Sequence, residues 1–233
     1  MKAVILAGGK GTRLWPYTSV LPKPLLPAGD QPILSVVLKQ LKKAGVKRVS
    51  LAVGHMAEMF PQVLNGTTPR GMRIEYVRER TPLGTAAPLR RVKGLKDTFL
   101  VLNGDILTDL NYRDLIKWHR QKQAAATIAT FRRRVPVDFG VVEAGRDGLL
   151  VAYHEKPKLS YRVSMGVYVF EPVVLDYIPR RGAFDFPDLI GRLLDAGEPV
   201  ASYPFRGRWL DIGRPDDFMA AQTEIARSKA RYL

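Results

Sequence analysis

The 233-residue chain contains no cysteine. That removes disulfides, thiolate metal sites and cysteine nucleophiles together, and it is compatible with the cytoplasmic location expected for the chain. No apolar run reaches about 18 residues, so no membrane span is expected. The opening Met1-Lys2-Ala3-Val4-Ile5-Leu6-Ala7 breaks at Gly8-Gly9, too early for the core of a signal peptide. Linkers, low-complexity tracts and internal repeats are missing. The three histidines, His55, His119 and His154, lack metal-ligand spacing. Acidic residues are scarce: 22 Asp plus Glu against 37 Lys plus Arg, a formal charge of +15. That excess suits either anionic ligands such as nucleotides and phosphates or a solvated, arginine-rich surface. Its densest cluster is Arg132-Arg133-Arg134 at a strand end. No nucleic-acid partner is expected, because no recognition motif accompanies the charge.

Hydrophobic residues make up 46% of the chain, enough for one sizeable core. In the first half, short apolar runs alternate with helical periodicity. Strands are expected near 2–6, 48–53, 72–77, 98–102 and 124–131. Helices are expected near 33–44, 56–64, 84–92 and 112–121. This alternation argues for a mostly parallel sheet with helices on both faces. In the second half, three strand candidates (139–143, 149–154 and 163–170) are joined by short turns, which favours antiparallel pairing. Helices near 172–178, 187–196 and 215–227 and a strand near 200–203 complete the chain. A single α/β domain follows, with residues 1–135 mainly one half and 136–233 the other.

The chemistry gathers at strand ends, where open α/β sheets bind ligands. The first is Ala7-Gly8-Gly9-Lys10-Gly11-Thr12-Arg13. Its glycines let backbone N–H groups approach phosphate oxygens, and Arg13 offers a planar fork that fits them. The loop is not a P-loop, since Val4 stands where a glycine is required, nor a dinucleotide fingerprint, since Leu14 replaces the third glycine. Pro22-Lys23-Pro24 follows, a lysine in a stiffened segment.

Gly8-Gly9-Lys10-Gly11-Thr12-Arg13-Leu14-Trp15-Pro16 followed by Pro22-Lys23-Pro24 resembles the signature of the sugar-1-phosphate nucleotidyltransferases, or NDP-sugar pyrophosphorylases. The resemblance continues in family order through Leu83-Gly84-Thr85-Ala86, Asn103-Gly104-Asp105, Glu155-Lys156-Pro157 and Trp209-Leu210-Asp211-Ile212-Gly213. It implies a Rossmann-like, mostly parallel mixed sheet flanked by helices, with an inserted antiparallel sugar-binding sheet. The substrates it implies are a nucleoside triphosphate and a sugar 1-phosphate, and it leaves room for a homo-oligomer. Attack of the sugar phosphate on the α-phosphorus needs no general base, because the nucleophile is already an anion. It needs alignment and charge neutralisation.

By this resemblance Arg13, Lys23 and Lys156 are the catalytic cations. The nucleotide falls to Leu6, Ala7, Gly8, Gly9, Gly11, Thr12, Arg13, Glu79, Pro82, Gly84, Thr85 and Asp105. The sugar phosphate falls to Asn103, Gly140, Glu155, Lys156 and Ser164. Asp105 and Asp211 are the implied ligands of Mg²⁺ or another divalent cation such as Mn²⁺. The chain departs from the family at Ser164-Met165-Gly166-Val167-Tyr168, where Asn-Ala-Gly-Ile-Tyr is common. A serine hydroxyl replaces an amide, with shorter reach and fewer bonds. Glu79 stands where some uridine- and thymidine-using relatives place glutamine. A carboxylate only accepts hydrogen bonds, which matches the paired donors of guanine, and so favours GTP with a mannose- or heptose-type sugar. Alternatives are a uridylyl- or thymidylyltransferase, a cytidylyltransferase acting on a phospho-alcohol, and a non-catalytic nucleotide-sugar-binding subunit. Asp185 and Asp188 are expected to cap the helix that follows them, and Phe184 and Phe186 to pack.

Overall fold

The apolar run at the start of the chain forms the strand around which the sheet is built. A computed structural model describes residues 1–232, leaving out the side chains of residues 229–231. The elements run β1 (Lys2–Ala7), β2 (Pro27–Ala28), β3 (Gln31–Pro32), α1 (Ile33–Lys43), β4 (Arg48–Val53), α2 (Met59–Leu64), β5 (Arg73–Arg78), β6 (Phe99–Asn103), β7 (Ile106–Thr108), α3 (Tyr112–Gln121) and β8 (Ala126–Pro136). They continue with β9 (Val141–Ala144), β10 (Leu150–His154), β11 (Lys158–Phe170), α4 (Phe186–Asp195), β12 (Val200–Phe205), β13 (Trp209–Asp211) and α5 (Pro215–Tyr232).

Seven strands form the main sheet in the order β12-β8-β11-β6-β1-β4-β5. β1 pairs in parallel with β4 and β6, β4 with β5, and β8 with β12, whereas β11 runs antiparallel to both its neighbours. The mostly parallel mixed sheet is therefore as expected. Side chains alternate across it. Ala3, Ile5 and Ala7 of β1 join one core beneath α1, α2 and α3, while Val4 joins a second core with Leu189 and Leu193 of α4. α1 ends as its sequence suggests, with Gly45 at φ 90° just past the last turn.

Three expected helices are shorter than the pattern indicated: α2 begins only at Met59, and two others are 3₁₀ turns. The segment near 84–92 is a 3₁₀ turn over Ala87–Arg91, with Pro88 its second residue, and the one near 172–178 is a 3₁₀ turn over Pro172–Tyr177. α2 keeps Pro61 only because the proline falls in its first turn, where its missing N–H has no helical partner to lose. The α4 N-terminus carries the expected cap: Asp185 and Asp188 form a capping box.

The inserted sheet is also present. β8 and β11 extend past the main sheet as an arm, paired from Thr130 with Ser164 out to Pro136 with Lys158, and β9 and β10 form an antiparallel hairpin beyond it. β11 begins five residues earlier than the pattern indicated and is shared between arm and main sheet. Arg132, Arg133 and Arg134 lie along the exposed part of β8, where Arg132 donates to Ser160 at 2.8 Å. No helix among the described residues is long and apolar enough to cross a membrane.

Candidate active site

The C-terminal ends of β1 and β6 open into two adjoining cavities of about 290 and 410 Å³ that share Leu6, Gly9 and Asp105. Every residue assigned above to the nucleotide lines one or the other. The smaller cavity is bounded by the glycine loop, Arg13, Lys23, Asp105 and Gly213. The larger is bounded by the glycine loop, Glu79, the Pro82–Thr85 turn and Asn103.

Local chemistry shapes the loop. Gly11 sits at φ 63°, where a β-carbon would lie 2.9 Å from the Thr18 methyl, and its carbonyl accepts the Thr18 hydroxyl at 3.0 Å. The chain then turns through a 3₁₀ segment, Thr12–Leu14, which buries Leu14 and leaves Arg13 outside. A further 3₁₀ turn, Lys23–Leu25, opens behind Pro22. Lys23 is buried and its ammonium is ion-paired with Asp105, which follows the end of β6.

A short ribbon that the sequence pattern did not reveal brings the two aspartates together. β7 pairs antiparallel with β13, setting Asp211 opposite Ile106, and the Ile212 N–H donates to the Asp105 carbonyl at 3.2 Å. Burial pushes the Asp211 carboxyl above its ordinary range, the neighbouring Asp105 charge pushes it further, and Lys23 and Arg13 pull it back. Asp217, in the first turn of α5, adds to the repulsion and was not among the residues singled out. Its only sequence signal is an acid at a helix start, which is common for capping reasons alone. The pair fits a divalent ion: two hard oxygen donors repel one another beside cations that compensate them only in part. Among the described residues no group of three or more His, Asp or Glu converges, so the other positions of such an ion would fall to phosphate oxygens and water.

A third hydrophobic cluster supports this centre. Leu14, Leu26, Leu107 and Ile212, each one to three residues from Arg13, Lys23, Asp105 or Asp211, pack with Phe218, Ala221 and Ile225 of α5. Burying each such side chain is worth about 2 kcal/mol, so α5 fixes the four charged groups through their apolar neighbours.

Glu79 follows β5, its backbone N–H bonded to the Val53 carbonyl at 2.8 Å. Its carboxyl oxygen lies so near Gly8 that a β-carbon there would meet it at 3.0 Å. Burial raises its pKa, partly offset by the Leu83 backbone N–H and by Arg91. Thr85 reaches the cavity wall with its hydroxyl and N–H both given to Asp185, at 2.9 and 2.8 Å.

The residues assigned to the sugar fall into two places. Asn103 sits at the end of β6 beside Gly166, where a β-carbon would lie 2.4 Å from the Asn103 amide. Gly166 occupies an irregularity in β11 between Ser164 and Tyr168; there the Ser164 hydroxyl donates to Tyr168 at 3.1 Å and the Trp209 indole N–H donates to the Met165 carbonyl at 3.1 Å. Gly140, Glu155 and Lys156 lie on the exposed arm. Tyr153 crosses Gly140, at 2.2 Å from where a β-carbon would stand, and donates to Glu155 at 2.9 Å. Lys156 is held at φ 44°, a left-handed backbone that lysine seldom adopts, in the turn between β10 and β11. No hydrogen bond or ion pair among the described residues ties this arm group to Arg13, Lys23, Asp105 or Asp211. Of the histidines, His119 is buried away from the site between Thr127 and Glu171, and burial lowers its pKa.

A family model described as nucleotidyl transferase matches residues 2–228. The chain is 35% identical to a UTP–glucose-1-phosphate uridylyltransferase of Synechocystis, over 95% of this chain and 62% of that protein. It is 36% identical to the catalytic subunit beta of mannose-1-phosphate guanylyltransferase of Xenopus tropicalis, over 98% of this chain and 65% of that one. The chain thus spans just under two thirds of the length of these curated relatives. Among solved structures, HddC from Yersinia pseudotuberculosis shares the fold with a TM-score of 0.74 at 23% identity, covering 96% of this chain and 99% of that one.

Proposed function

The chain belongs to the nucleotidyl transferase family, and we propose that it transfers a nucleotidyl group from a nucleoside triphosphate to a sugar 1-phosphate with release of pyrophosphate. One observation carries this reading: Arg13 and Lys23 from the stretch after β1, Asp105 after β6 and Asp211 in β13 meet beside a glycine loop at the strand ends. That is the set a reaction between two anions needs, since catalysis here consists of alignment and neutralisation.

In this reading the glycine-loop N–H groups and Arg13 hold the triphosphate. Lys23, fixed by its neighbours, places a positive charge at the reacting phosphorus. Asp105 and Asp211 would hold a divalent ion, which supplies neutralisation between the two substrates when bound. Asn103 and Ser164 face the sugar from the sheet. Glu155 and Lys156 reach it from the arm, Lys156 taking the sugar phosphate.

For the base, Glu79 supports GTP. Its carboxylate lines the larger cavity and offers acceptors to the N1–H and 2-amino donors of guanine, where uracil and thymine present a carbonyl beside one N–H. With GTP as the nucleotide, the sugar is read as mannose- or heptose-type. The activity is tested by pyrophosphate release from Asp105→Asn and Asp211→Asn variants with Mg²⁺. Each should lose about two to three orders of magnitude in turnover while keeping its fold. Wild-type turnover in both would remove the metal assignment.

A further inference from the structure

The Leu83–Ala86 turn has no regular structure of its own and is held from outside by a segment about a hundred residues later in the chain. The Phe184 N–H donates to the Leu83 carbonyl at 2.8 Å, and the Phe184 carbonyl accepts from the Ala86 and Ala87 N–H groups at 2.9 and 3.1 Å. One oxygen of Asp185, Oδ1, accepts both the N–H and the hydroxyl of Thr85, at 2.8 and 2.9 Å. The Thr85 hydroxyl accepts in turn from the Phe186 N–H at 2.9 Å. Gly84, at φ 80°, lies against the same segment, where a β-carbon would come within 2.7 Å of the Phe184 carbonyl.

The donors of Thr85 are therefore already spent on the turn itself. Yet this turn walls the 410 Å³ cavity, and its Leu83 N–H faces the Glu79 carboxyl. Asp185 is absent from the cavity lining. We infer that Asp185 is a positioning residue for nucleotide selectivity: by holding Thr85 at two points it sets the wall of the base pocket and the orientation of Glu79. The inference rests on the base-reading role proposed for that cavity. The chemistry suits a side-chain acceptor with several lone pairs, because Asp185 accepts both Thr85 donors and also takes part in the capping box at the start of α4.

These two duties separate by mutation. Asp185→Ala removes both. Asp185→Asn keeps an oxygen for Thr85 and removes only the charge. Asp188→Ala weakens the cap and leaves Thr85 untouched. Binding of GTP and UTP with Mg²⁺ is measured by calorimetry, alongside the KM for sugar 1-phosphate and thermal stability. Asp185→Ala should weaken GTP about tenfold and narrow the GTP-over-UTP preference about fivefold, with sugar-phosphate KM within about twofold of wild type. Asp185→Asn should stay within about threefold of wild type for GTP. Asp188→Ala should lose thermal stability and keep wild-type nucleotide affinity. Wild-type GTP affinity and preference in Asp185→Ala, or the same loss in Asp188→Ala, would overturn the inference and leave the proposed activity standing. Wild-type protein that binds neither nucleotide would remove the base pocket and the inference together.

Discussion

Replacing Lys23 with methionine keeps most of the side-chain volume and deletes one charge. The structure sets the size of the effect. The Lys23 ammonium is ion-paired with Asp105, and the two side chains retain 11% and 22% of their exposure. Breaking one side of a buried pair costs about 3–5 kcal/mol, mostly from the charge left behind. Residual solvent contact at both groups puts this pair near the lower end, about 3 kcal/mol. For a domain of this size that is roughly 6–12 °C in Tm. The abandoned Asp105 also faces Asp211, whose carboxyl is already raised by burial and by Asp105. Two consequences follow. Adding Asp105→Asn to Lys23→Met should restore about 2 kcal/mol, because the orphaned charge is gone. Millimolar Mg²⁺ should stabilise Lys23→Met more than wild type, because the ion meets two carboxylates without a competing ammonium. Urea denaturation with EDTA, then with Mg²⁺, measures both. Equal stability of Lys23→Met and wild type in EDTA, or no recovery in the double variant, would refute the picture of one shared charge centre.

Glu79→Gln should move nucleotide preference from GTP toward UTP or dTTP by about tenfold, read as a ratio of kcat/KM values; unchanged ratios would discard the base reading. Burial raises the Glu79 pKa above its ordinary 4.5, so in the free protein it takes up its proton at a higher pH than a solvated carboxyl would. Protonation removes the acceptor, so GTP affinity should weaken with falling pH before an ordinary carboxylate titrates, and the Gln variant should show no such step; superimposable profiles would contradict this. Lys156→Ala should raise the KM for sugar 1-phosphate by about an order of magnitude with little change for the nucleotide, and an unaltered sugar-phosphate KM would end its assigned role.

Much of this was legible in the chain because the chemistry sits where sequence signals are strongest. Glycines and prolines mark the Gly8–Gly11 loop and the Lys23 turn, and an apolar run ending in Asn103-Gly104-Asp105 marks a strand end. The parallel sheet was readable from alternating periodicities. The three-residue strands β7 and β13 were not, because pairs so short carry no periodicity and exist through the ribbon they form. The pattern reads the two short 3₁₀ turns as helices, since an apolar stripe of seven to nine residues does not distinguish a helix from a packed turn. Asp185 was legible as a helix cap and not as a partner of Thr85, because nothing local encodes a contact across a hundred residues. The hold of α5 on the four charged groups was hidden for the same reason. Leu14, Leu26, Leu107 and Ile212 are ordinary core residues until the fold sets them side by side.

The most direct test sets five nucleoside triphosphates against a panel of sugar 1-phosphates, with Mg²⁺, and follows pyrophosphate release. Release should depend on both substrates together and be greatest with GTP and a mannose-type sugar phosphate. Pyrophosphate from no pair, or release that ignores the sugar phosphate, would contradict the account.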